Sequence, residues 1–306
     1  MRAIITETFH SSGVKMLEKY MDVECDFQIS REELKKKIKD YDVAIIRSAI
    51  KFDRELLEYG EKLKIIGMAG IGTDHIDKDY CKEREIAIFN VPEGSNNAVA
   101  ELAMALILNV IRKVHPAVKS VKENYQWDKT FYVGRELKGK TLGIIAIGKI
   151  GSRLAKFAQA FDMKVIAFDP YIPAEKAQAI NIKLVELEEL FSQADIISIH
   201  APLTKQTHHM ISKEQIDKMK DGIYLFNFGR GPIIDEESLY IALKNGKFAG
   251  VGVDVMEKEP PGKSKLFEFD NFIATPHIGA GTVEAQKYIS EAISKQVLTH
   301  LKLIDN

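Results

Sequence analysis

Cysteine and tryptophan are scarce in this sequence of 306 residues, which contains two cysteines and one tryptophan. Two thiols, Cys25 and Cys81, argue against a disulfide framework and suit a protein of a reducing compartment. No apolar run reaches the ~20 residues that a membrane-spanning helix needs, and the N-terminus lacks the apolar core of a signal peptide. We therefore expect a cytoplasmic protein without membrane contact.

An excess of charge of either sign is also missing, since the formal net charge is −1 at pH 7. The sequence thus carries no electrostatic footprint for binding nucleic acid. No group of side chains has the spacing of a metal site, and the adjacent His208 and His209 are expected to point apart, so we predict no metal. The length suggests about two domains.

The most informative stretch is an apolar run that leads into a glycine-containing turn and a helix start, LGIIAIGKIG at 142–151. Asp169 closes the next apolar run, 18 residues after Gly151. Strand, turn, helix, strand and acid follow one another as in a dinucleotide site. Ala146 stands where the first glycine of G-x-G-x-x-G is usual, so we expect it to lie close to helix and strand backbone.

Each part of this stretch has a chemical reason. Glycine lets the backbone approach a pyrophosphate, and the helix N-terminus offers aligned N–H donors, so we expect the pyrophosphate to contact residues 148–150. The Asp169 carboxylate would accept hydrogen bonds from ribose hydroxyls and repel a 2′-phosphate. No arginine follows it in DPYI at 169–172. The pattern therefore favours NAD over NADP.

Short β-rich runs alternate with amphipathic segments along the whole chain, which predicts parallel α/β sheets. The predicted strands are 3–6, 43–47, 64–68, 87–91, 141–147, 164–169, 196–200, 224–227, 250–255 and 272–275. The predicted helices include 13–20, 32–39, 54–59, 98–112, 187–192, 212–219, 236–245 and 282–303, whereas 115–137 is expected to be less regular. The fold class is α/β, with two doubly wound parallel-sheet domains joined near the turn-rich residues 90–96.

The helix predicted at 98–112 is apolar nearly all round, with Glu101 and Asn109 as the polar residues before its end. Such a helix is buried on more than one side. Packing inside the protein explains part of this burial, and a subunit interface is the natural explanation for the rest. We therefore expect a homodimer.

Polar residues follow several predicted strands of the second domain: His200, Arg230, Asp254 and His277, with Glu259 in the loop after Asp254. Any one of them is explained equally well as a loop residue, and a lone histidine is more often structural. Carboxyl ends of parallel strands meet at one edge of a sheet. Arginine would hold a carboxylate and polarise a keto group, while a histidine kept protonated and oriented by a carboxylate would donate the proton.

Five segments resemble the signature segments of the NAD-dependent D-2-hydroxyacid dehydrogenases. They are GKIG at 148–151, HAPLT at 200–204 with Thr207, NFGRG at 227–231, DVMEKEP at 254–260 and TPHIG at 275–279. The resemblance implies a Rossmann-type NAD domain at 96–281. It also implies a flavodoxin-like substrate domain at 1–95 and 282–306.

The resemblance also implies site residues. Arg230 would anchor the substrate carboxylate, His277 would be the acid–base group, and Glu259 its carboxylate partner. The implied cofactor contacts are Gly148, Lys149, Ile150, Asp169, Pro170, His200, Ala201, Pro202, Thr207, Phe228, Gly229, Asp254, Gly279 and Ala280. The implied substrate contacts are Arg47, Ser48, Ala69, Gly70 and Ile71, with Arg230 and His277. On the first domain alone, Arg47 would be explained equally well as a surface charge.

Within the family, RSAIK at 47–51 and NVPEGSNNAVAE at 90–101 most resemble D-3-phosphoglycerate dehydrogenases, which convert 3-phosphoglycerate to 3-phosphohydroxypyruvate in serine biosynthesis. Met68 stands where many relatives have an arginine that helps hold the phosphate, which leaves that task to Arg47 and Lys51. The sequence ends at Asn306, so no serine-sensing regulatory domain is expected.

Three alternatives stay open. The first is a glyoxylate/hydroxypyruvate reductase of the same family. The second is a non-catalytic NAD-sensing protein of the corepressor type, and the third is a related hydrolase or lyase that uses the nucleotide structurally. Arg230, Glu259 and His277 together favour a dehydrogenase over the last two.

Overall fold

A computed structural model describes residues 1–305. Its contacts divide the chain into two compact units, Met1–Ser95 with Ala280–Asn306 and Asn96–Gly279. In the described residues, each unit is built on one parallel sheet with helices between the strands. The predicted fold class, two α/β domains with parallel sheets, is confirmed.

The first unit has a five-stranded parallel sheet of order β2-β1-β3-β4-β5 in the described chain. This is the flavodoxin-like order, whose switch point lies between β1 and β3. The elements are β1 (Arg2–Ile5), α1 (Ser11–Glu18), β2 (Asp22–Cys25), α2 (Arg31–Lys37), β3 (Val43–Ile46), α3 (Arg54–Glu58), β4 (Ile65–Met68), α4 (Lys78–Glu83), β5 (Ala87–Phe89) and α12 (Val283–His300).

The long C-terminal helix α12 belongs to this first unit. Thr282 caps its first turn by accepting a hydrogen bond from the Ala285 amide, and a stripe that includes Ile289 and Ile293 is buried. The Ser290 hydroxyl accepts a hydrogen bond from the His10 amide at 2.9 Å. The helix therefore packs against α1 and the sheet of the domain that the first 95 residues form.

The second unit has a seven-stranded parallel sheet of order β12-β11-β10-β9-β6-β7-β8 in the described chain. This is the Rossmann order with a seventh strand, and its switch point lies between β6 and β9. The elements are α5 (Asn96–Ile111), α6 (Val114–Asn124), β6 (Thr141–Ile145), α7 (Lys149–Ala160), β7 (Lys164–Phe168), α8 (Ala174–Gln178), β8 (Lys183–Leu184), α9 (Leu187–Gln193), β9 (Ile196–Ile199), α10 (Lys213–Lys218), β10 (Ile223–Asn227), α11 (Glu236–Lys244), β11 (Phe248–Val253) and β12 (Phe272–Ala274).

The strands of this sheet are buried on both faces because alternate residues enter two different apolar clusters. Leu225 lies in one cluster with residues of α9, α10 and α11, whereas Phe226 lies in the other with residues of α5 and α7. Since successive strand residues point to opposite faces, helices cover both sides of the sheet. This burial explains why the strands read as continuous apolar runs.

The helix α5 is buried mainly within its own unit. Its apolar residues pack against α6, α7 and the sheet of their own unit, so its all-round hydrophobicity needs no second subunit. The expectation that residues 115–137 are less regular was wrong for the first part, because α6 runs from Val114 to Asn124, whereas residues 125–137 form neither helix nor strand. Several of the large exposed apolar side chains lie close together in the sequence, on α6 and the segment after it: Val114, Val118, Val121, Tyr125, Trp127, Phe131 and Val133.

None of the helices described is both long and apolar enough to cross a membrane.

Candidate active site

The turn after β6 is closed tightly around Ala146. This residue has φ +68°, in the left-handed region that favours glycine, and its amide donates to the Phe168 carbonyl at the end of β7 at 2.9 Å. A Cβ on Gly151 would lie 2.6 Å from the Ala146 carbonyl oxygen. Gly151 therefore lets α7 start against the turn, and Ala146 lies close to strand and helix backbone as its sequence position predicts.

The N-terminus of α7 begins beside an open turn. Gly148 is the residue that precedes the first helical position. Among the described residues, no atom outside its immediate neighbours lies within 4 Å of where its Cβ would be. An anion can thus approach the Gly148 backbone and the first N–H groups of a twelve-residue helix.

Asp169, at the end of β7, is fixed against the same turn. One carboxylate oxygen accepts the Ile147 amide at 2.9 Å, and the other accepts the Tyr171 amide at 2.9 Å. Each carboxylate oxygen has a second lone pair. The acid is therefore oriented by backbone donors and keeps acceptor capacity for hydroxyl groups.

His200 follows β9 on the other side of the switch point. Its Nε2 lies 2.9 Å from the Ser198 hydroxyl, and its ring stacks on Phe228 with centroids 5.8 Å apart. Burial lowers the pKa of His200 to about 3, so the ring is neutral near pH 7. Within the described residues, the buried Nδ1 atom has no hydrogen-bond partner. An unpaired buried polar atom is rare in proteins and marks a place where a bound group can complete the pairing.

The segment after His200 forms a compact turn. The Thr207 hydroxyl donates to the Pro202 carbonyl at 2.7 Å, and the Thr204 amide donates back to the Thr207 hydroxyl at 2.8 Å. The close approach of Ala201 to the next strand end requires Gly229, whose Cβ would lie 2.4 Å from the Ala201 carbonyl oxygen. The loops after β9 and β10 are thus held together.

Arg230 is presented by a turn that Asn227, buried at the end of β10, organises. The Asn227 amide nitrogen donates to the Arg230 carbonyl at 2.9 Å, and its oxygen accepts the Gly229 amide at 3.0 Å. The guanidinium donates to the Gly229 carbonyl at 2.9 Å. The turn fixes the start of the Arg230 side chain.

Asp254, at the end of β11, is buried and satisfied by three donors. Its carboxylate accepts the Thr275 hydroxyl at 2.6 Å and the amides of Ile278 and Gly279 at 2.9 and 2.8 Å. Burial raises the pKa of Asp254 against the opposing effect of these hydrogen bonds. Asp254 therefore ties the loop after β12, which carries His277, to the end of β11.

His277 and Glu259 form a pair. The distance between His277 Nδ1 and a Glu259 carboxylate oxygen is 2.7 Å, and the other Glu259 oxygen accepts the Met256 amide at 3.1 Å. Burial acts to raise the pKa of Glu259, but the hydrogen bond and charge of His277, with a contribution from Arg230, bring it below its ordinary value. His277 itself has φ +52°. Backbone held in this costly region is concentrated at functional sites.

In the first unit, Arg47 lies directly after β3 and Glu7 shortly after β1, so both flank the switch point of that sheet. A Glu7 carboxylate oxygen accepts the amides of Arg47 and Ala49 at 2.9 and 3.2 Å. The Arg47 guanidinium donates to the Gln286 side chain at 3.3 Å. Burial lowers the pKa of Arg47, and the nearby Glu7 charge opposes this effect. Ser48, between Arg47 and Ala49 in the sequence, is exposed.

The loop after β4 is held by hydrogen bonds. The amides of Ala69 and Gly70 donate to the carbonyls of Ile46 and Met68, each at 2.8 Å. The Asn90 side chain donates to the Ile71 carbonyl at 2.7 Å. Met68 is buried, with 6% of its surface exposed, so this position offers an apolar wall instead of a charge.

Among residues 1–305, no group of three or more His, Cys, Asp or Glu side chains is arranged to hold a metal ion. His208 and His209 do not point apart as expected. Their ring centroids are 4.1 Å apart, because His209 has φ +50° and leaves regular geometry.

Comparison with known proteins agrees with this arrangement of strand ends. Residues 104–279 match the family model described as D-isomer specific 2-hydroxyacid dehydrogenase, NAD binding domain. A hydroxypyruvate reductase of Thermotoga maritima is 45% identical over 276 residues, which cover 89% of each chain. The chain belongs to the D-isomer specific 2-hydroxyacid dehydrogenase family.

A second relative in the family is longer than this chain. The D-3-phosphoglycerate dehydrogenase of Methanocaldococcus jannaschii is 43% identical over 298 residues, which cover 97% of this chain and 57% of the relative. The chain thus spans little more than half the length of that relative. A solved D-lactate dehydrogenase of Aquifex aeolicus, complexed with NAD and lactic acid, has a TM-score of 0.87 and 33% identity, covering 99% of this chain and 96% of that one.

NAD is the cofactor of this family domain, and the site fits it on three observations. The Gly148 turn is open above its backbone, Asp169 is oriented with acceptor capacity, and His200 has a buried, unpartnered Nδ1. These features lie after β6, β7 and β9, around the switch point where dinucleotides bind. The chemical features of the turn therefore match the family to which the chain belongs.

Sequence reasoning missed Glu7, Gln286 and the side chains of Glu236 and Glu257. The Glu7 carboxylate accepts a hydrogen bond from a loop 40 positions away in the sequence, and no local sequence pattern predicts such a contact. For Glu7 one signal was available: it follows a buried strand, as the residues singled out in the second domain do.

Proposed function

We propose that the protein is an NAD-dependent D-2-hydroxyacid dehydrogenase that interconverts 3-phosphoglycerate and 3-phosphohydroxypyruvate, a step of serine biosynthesis. The observation that carries the proposal is the His277–Glu259 pair, 2.7 Å apart, beside the charge of Arg230. We place the enzyme in the cytoplasm, because its two free cysteines suit a reducing compartment.

The chemistry follows from what each side chain can do. NAD(H), when bound, supplies or receives the hydride at the substrate C2. Arg230 binds the substrate carboxylate and polarises the keto oxygen. Glu259 holds Nδ1 of His277, so Nε2 is the ring nitrogen that donates the proton to the developing alkoxide or takes it from the hydroxyl in reverse.

The cofactor role of the implied residues is part of the proposal. The Gly148–Lys149–Ile150 segment would bind the pyrophosphate, with Asp169 and Pro170 at the adenosine ribose. The turn residues His200, Ala201, Pro202 and Thr207, together with Phe228 and Gly229, would line the cofactor. Asp254 would hold the nicotinamide carboxamide, next to Gly279 and Ala280.

The phosphorylated substrate is proposed because several curated relatives are named D-3-phosphoglycerate dehydrogenases, with 38–43% identity over most of this chain. Arg47, at the switch point of the first unit, is the cation proposed to bind the distal phosphate. Its neighbours Ser48, Ala69, Gly70 and Ile71 are proposed to contact the rest of the substrate. Glu7 holds the amides of Arg47 and Ala49, so the guanidinium rather than these amides would supply the positive charge.

Reduction of hydroxypyruvate is the second candidate. The buried Met68 provides no charge for a phosphate, and the Thermotoga maritima hydroxypyruvate reductase matches this chain over 89% of both lengths. A non-catalytic NAD sensor would have no use for the Arg230, Glu259 and His277 set, which disfavours it.

The substrate test compares kcat/KM for 3-phosphohydroxypyruvate and hydroxypyruvate in the wild type and in Arg47→Met. We expect the wild type to prefer the phosphorylated acid by about 10-fold or more, since a charge-assisted contact contributes on the order of 1.5–3 kcal/mol. Arg47→Met should lose most of this preference. Arg54→Met, which changes an exposed arginine of the same unit, should retain it. A wild type that prefers hydroxypyruvate would favour the second candidate.

A homodimer is proposed from the α6 stripe, defined as Val114, Val118, Val121 and Tyr125. These side chains recur at helical spacing, and between 42% and 91% of each is exposed. Trp127, two positions after Tyr125 in the sequence, is also 79% exposed. An exposed apolar stripe of this kind marks an interaction site, and we propose a second copy of this chain as its occupant.

A further inference from the structure

A cluster of ionisable side chains outside the proposed catalytic set joins the start of α11 to the loop after β11. It consists of His209, Asp235, Glu236 and Glu257. Within the second unit these residues lie on three different loops or helix starts, and none of them had an expected role. Glu257 is two positions before Glu259.

The two glutamates pair in a reciprocal manner. The Glu257 amide donates to a Glu236 carboxylate oxygen at 2.8 Å, and the Glu236 amide donates to a Glu257 carboxylate oxygen at 3.1 Å. Each carboxylate thus satisfies the backbone of the other's segment. We call this pair of hydrogen bonds the carboxylate clasp.

His209 contacts the Glu257 half of the clasp. Its Nε2 lies 2.9 Å from the Glu257 oxygen that accepts the Glu236 amide, and its Nδ1 lies 3.4 Å from Asp235. The His209 amide donates to the Pro232 carbonyl at 2.8 Å. The ring therefore lies between the carboxylates of Asp235 and Glu257, and contacts the Glu257 half of the clasp.

The clasp fixes the short segment that carries Glu259. Met256, beside Glu257, donates its amide to Glu259 at 3.1 Å. The backbone of Gly231 also packs against Met256, so closely that a Cβ on Gly231 would lie 1.9 Å from the Met256 carbonyl. The segment 256–259 is thus held against residues 230–236 at several points, and Arg230 begins that second segment.

We propose that the carboxylate clasp of Glu236 and Glu257, braced by His209, is a positioning device that sets Glu259 against His277. Neither Glu257 nor Glu236 is among the residues proposed to contact substrate or cofactor, and both act through Glu259. The positioning of Glu259 is inferred from these hydrogen bonds and packing contacts. The consequence for turnover rests on the proposed dehydrogenase function.

The structural part is tested by NMR on protein carrying ¹⁵N-labelled histidine, without any substrate. The ring nitrogen shifts of His277 report its contact with Glu259, and Glu259→Gln defines the spectrum in which that contact is altered. Glu257→Ala and Glu236→Ala should each move the His277 signals at least half-way toward the Glu259→Gln positions. Glu257→Gln keeps an acceptor oxygen and should stay near the wild type.

The matched control is Glu237→Gln, which removes a charge from the exposed neighbour of Glu236 on α11. Its His277 signals should coincide with those of the wild type. If both alanine variants also keep wild-type His277 signals, the clasp does not position Glu259 and the proposal is overturned. Two variants on opposite halves of the clasp keep the test decisive if one of them fails to fold.

Kinetics test the second half of the proposal. Glu257→Ala should lower kcat about 10-fold or more while the KM for NADH is unchanged, since small displacements of a catalytic group cost this much. In a Glu259→Gln background the same change should cost less than about 2-fold, as residues acting through one another are not additive. An equal loss in both backgrounds would overturn the proposal. A wild type without turnover would remove the dehydrogenase function and leave the NMR result to decide on the clasp.

Discussion

At the scale of single residues, His200 links burial to behaviour in acid. Its pKa of about 3 in the folded protein is below the ordinary value of 6.5. As the pH falls, the unfolded chain therefore takes up the proton first. The contribution of His200 to stability is fully present above pH 6.5 and is lost between pH 6.5 and about 3.

The expected loss from this one group between pH 7.5 and pH 5 is about 2 kcal/mol in the free energy of unfolding. Urea unfolding at the two pH values measures it. His200→Gln should lose less stability than the wild type over this interval, by about that amount. His115→Gln, which removes an exposed histidine of the same unit, should behave as the wild type. Equal losses in all three proteins would refute the buried, neutral His200.

The residues of the proposed site differ in how far the sequence predicts them. His200, Arg230, Asp254 and His277 follow predicted strands, and strand ends of a parallel sheet converge, so their neighbourhood could be inferred. The carboxylate clasp could not, because its hydrogen bonds join Glu236, at the start of α11, to Glu257, in the loop after β11, across 21 positions. No periodicity connects such segments before the chain is folded.

At the scale of elements, the β6–turn–α7 unit requires glycine at position 151 more than at position 146. Gly151→Ala would place a methyl group 2.6 Å from the Ala146 carbonyl and should destabilise the domain by about 1–3 kcal/mol. Ala146→Gly relieves a φ of +68° and should stabilise it by about 0.5–1 kcal/mol.

Thermal unfolding and NADH titration check this pair of variants. NADH affinity should fall in Gly151→Ala, because α7 can no longer start against the turn, and should change less than about 2-fold in Ala146→Gly. A fully stable Gly151→Ala variant that binds NADH normally would contradict the close packing of helix and turn. The departure from the usual glycine pattern would then need another explanation.

Elements with a strong apolar signature were predicted, and elements without one were not. The buried run VAII of β3 was recognised, whereas the edge strand β2, DVEC, has a partly exposed and polar pattern and was missed. The strand β8 has two residues, too few to show any period. The helix α6 was missed because lysines and a proline interrupt its stripe. Segments with such weak sequence patterns form strands or helices only because tertiary packing stabilises them.

At the scale of the whole molecule, the α6 stripe is proposed to be covered by a second copy. Val118→Glu combined with Val121→Glu would place two charges in that interface, where unpaired charges are strongly unfavourable. Sedimentation at micromolar concentration should give a dimer for the wild type and a monomer for the double variant. Val283→Glu, at an exposed valine of α12, should stay dimeric. A monomeric wild type would contradict the proposal.

Hydride transfer with His277 as the acid–base group is measured by NADH oxidation in the wild type and in His277→Ala. The wild type should reduce at least one of 3-phosphohydroxypyruvate, hydroxypyruvate, glyoxylate and pyruvate. His277→Ala should lose about 10²- to 10⁴-fold in kcat while still binding NADH. No turnover by the wild type with any of the four acids, or full activity of His277→Ala, would contradict the claim.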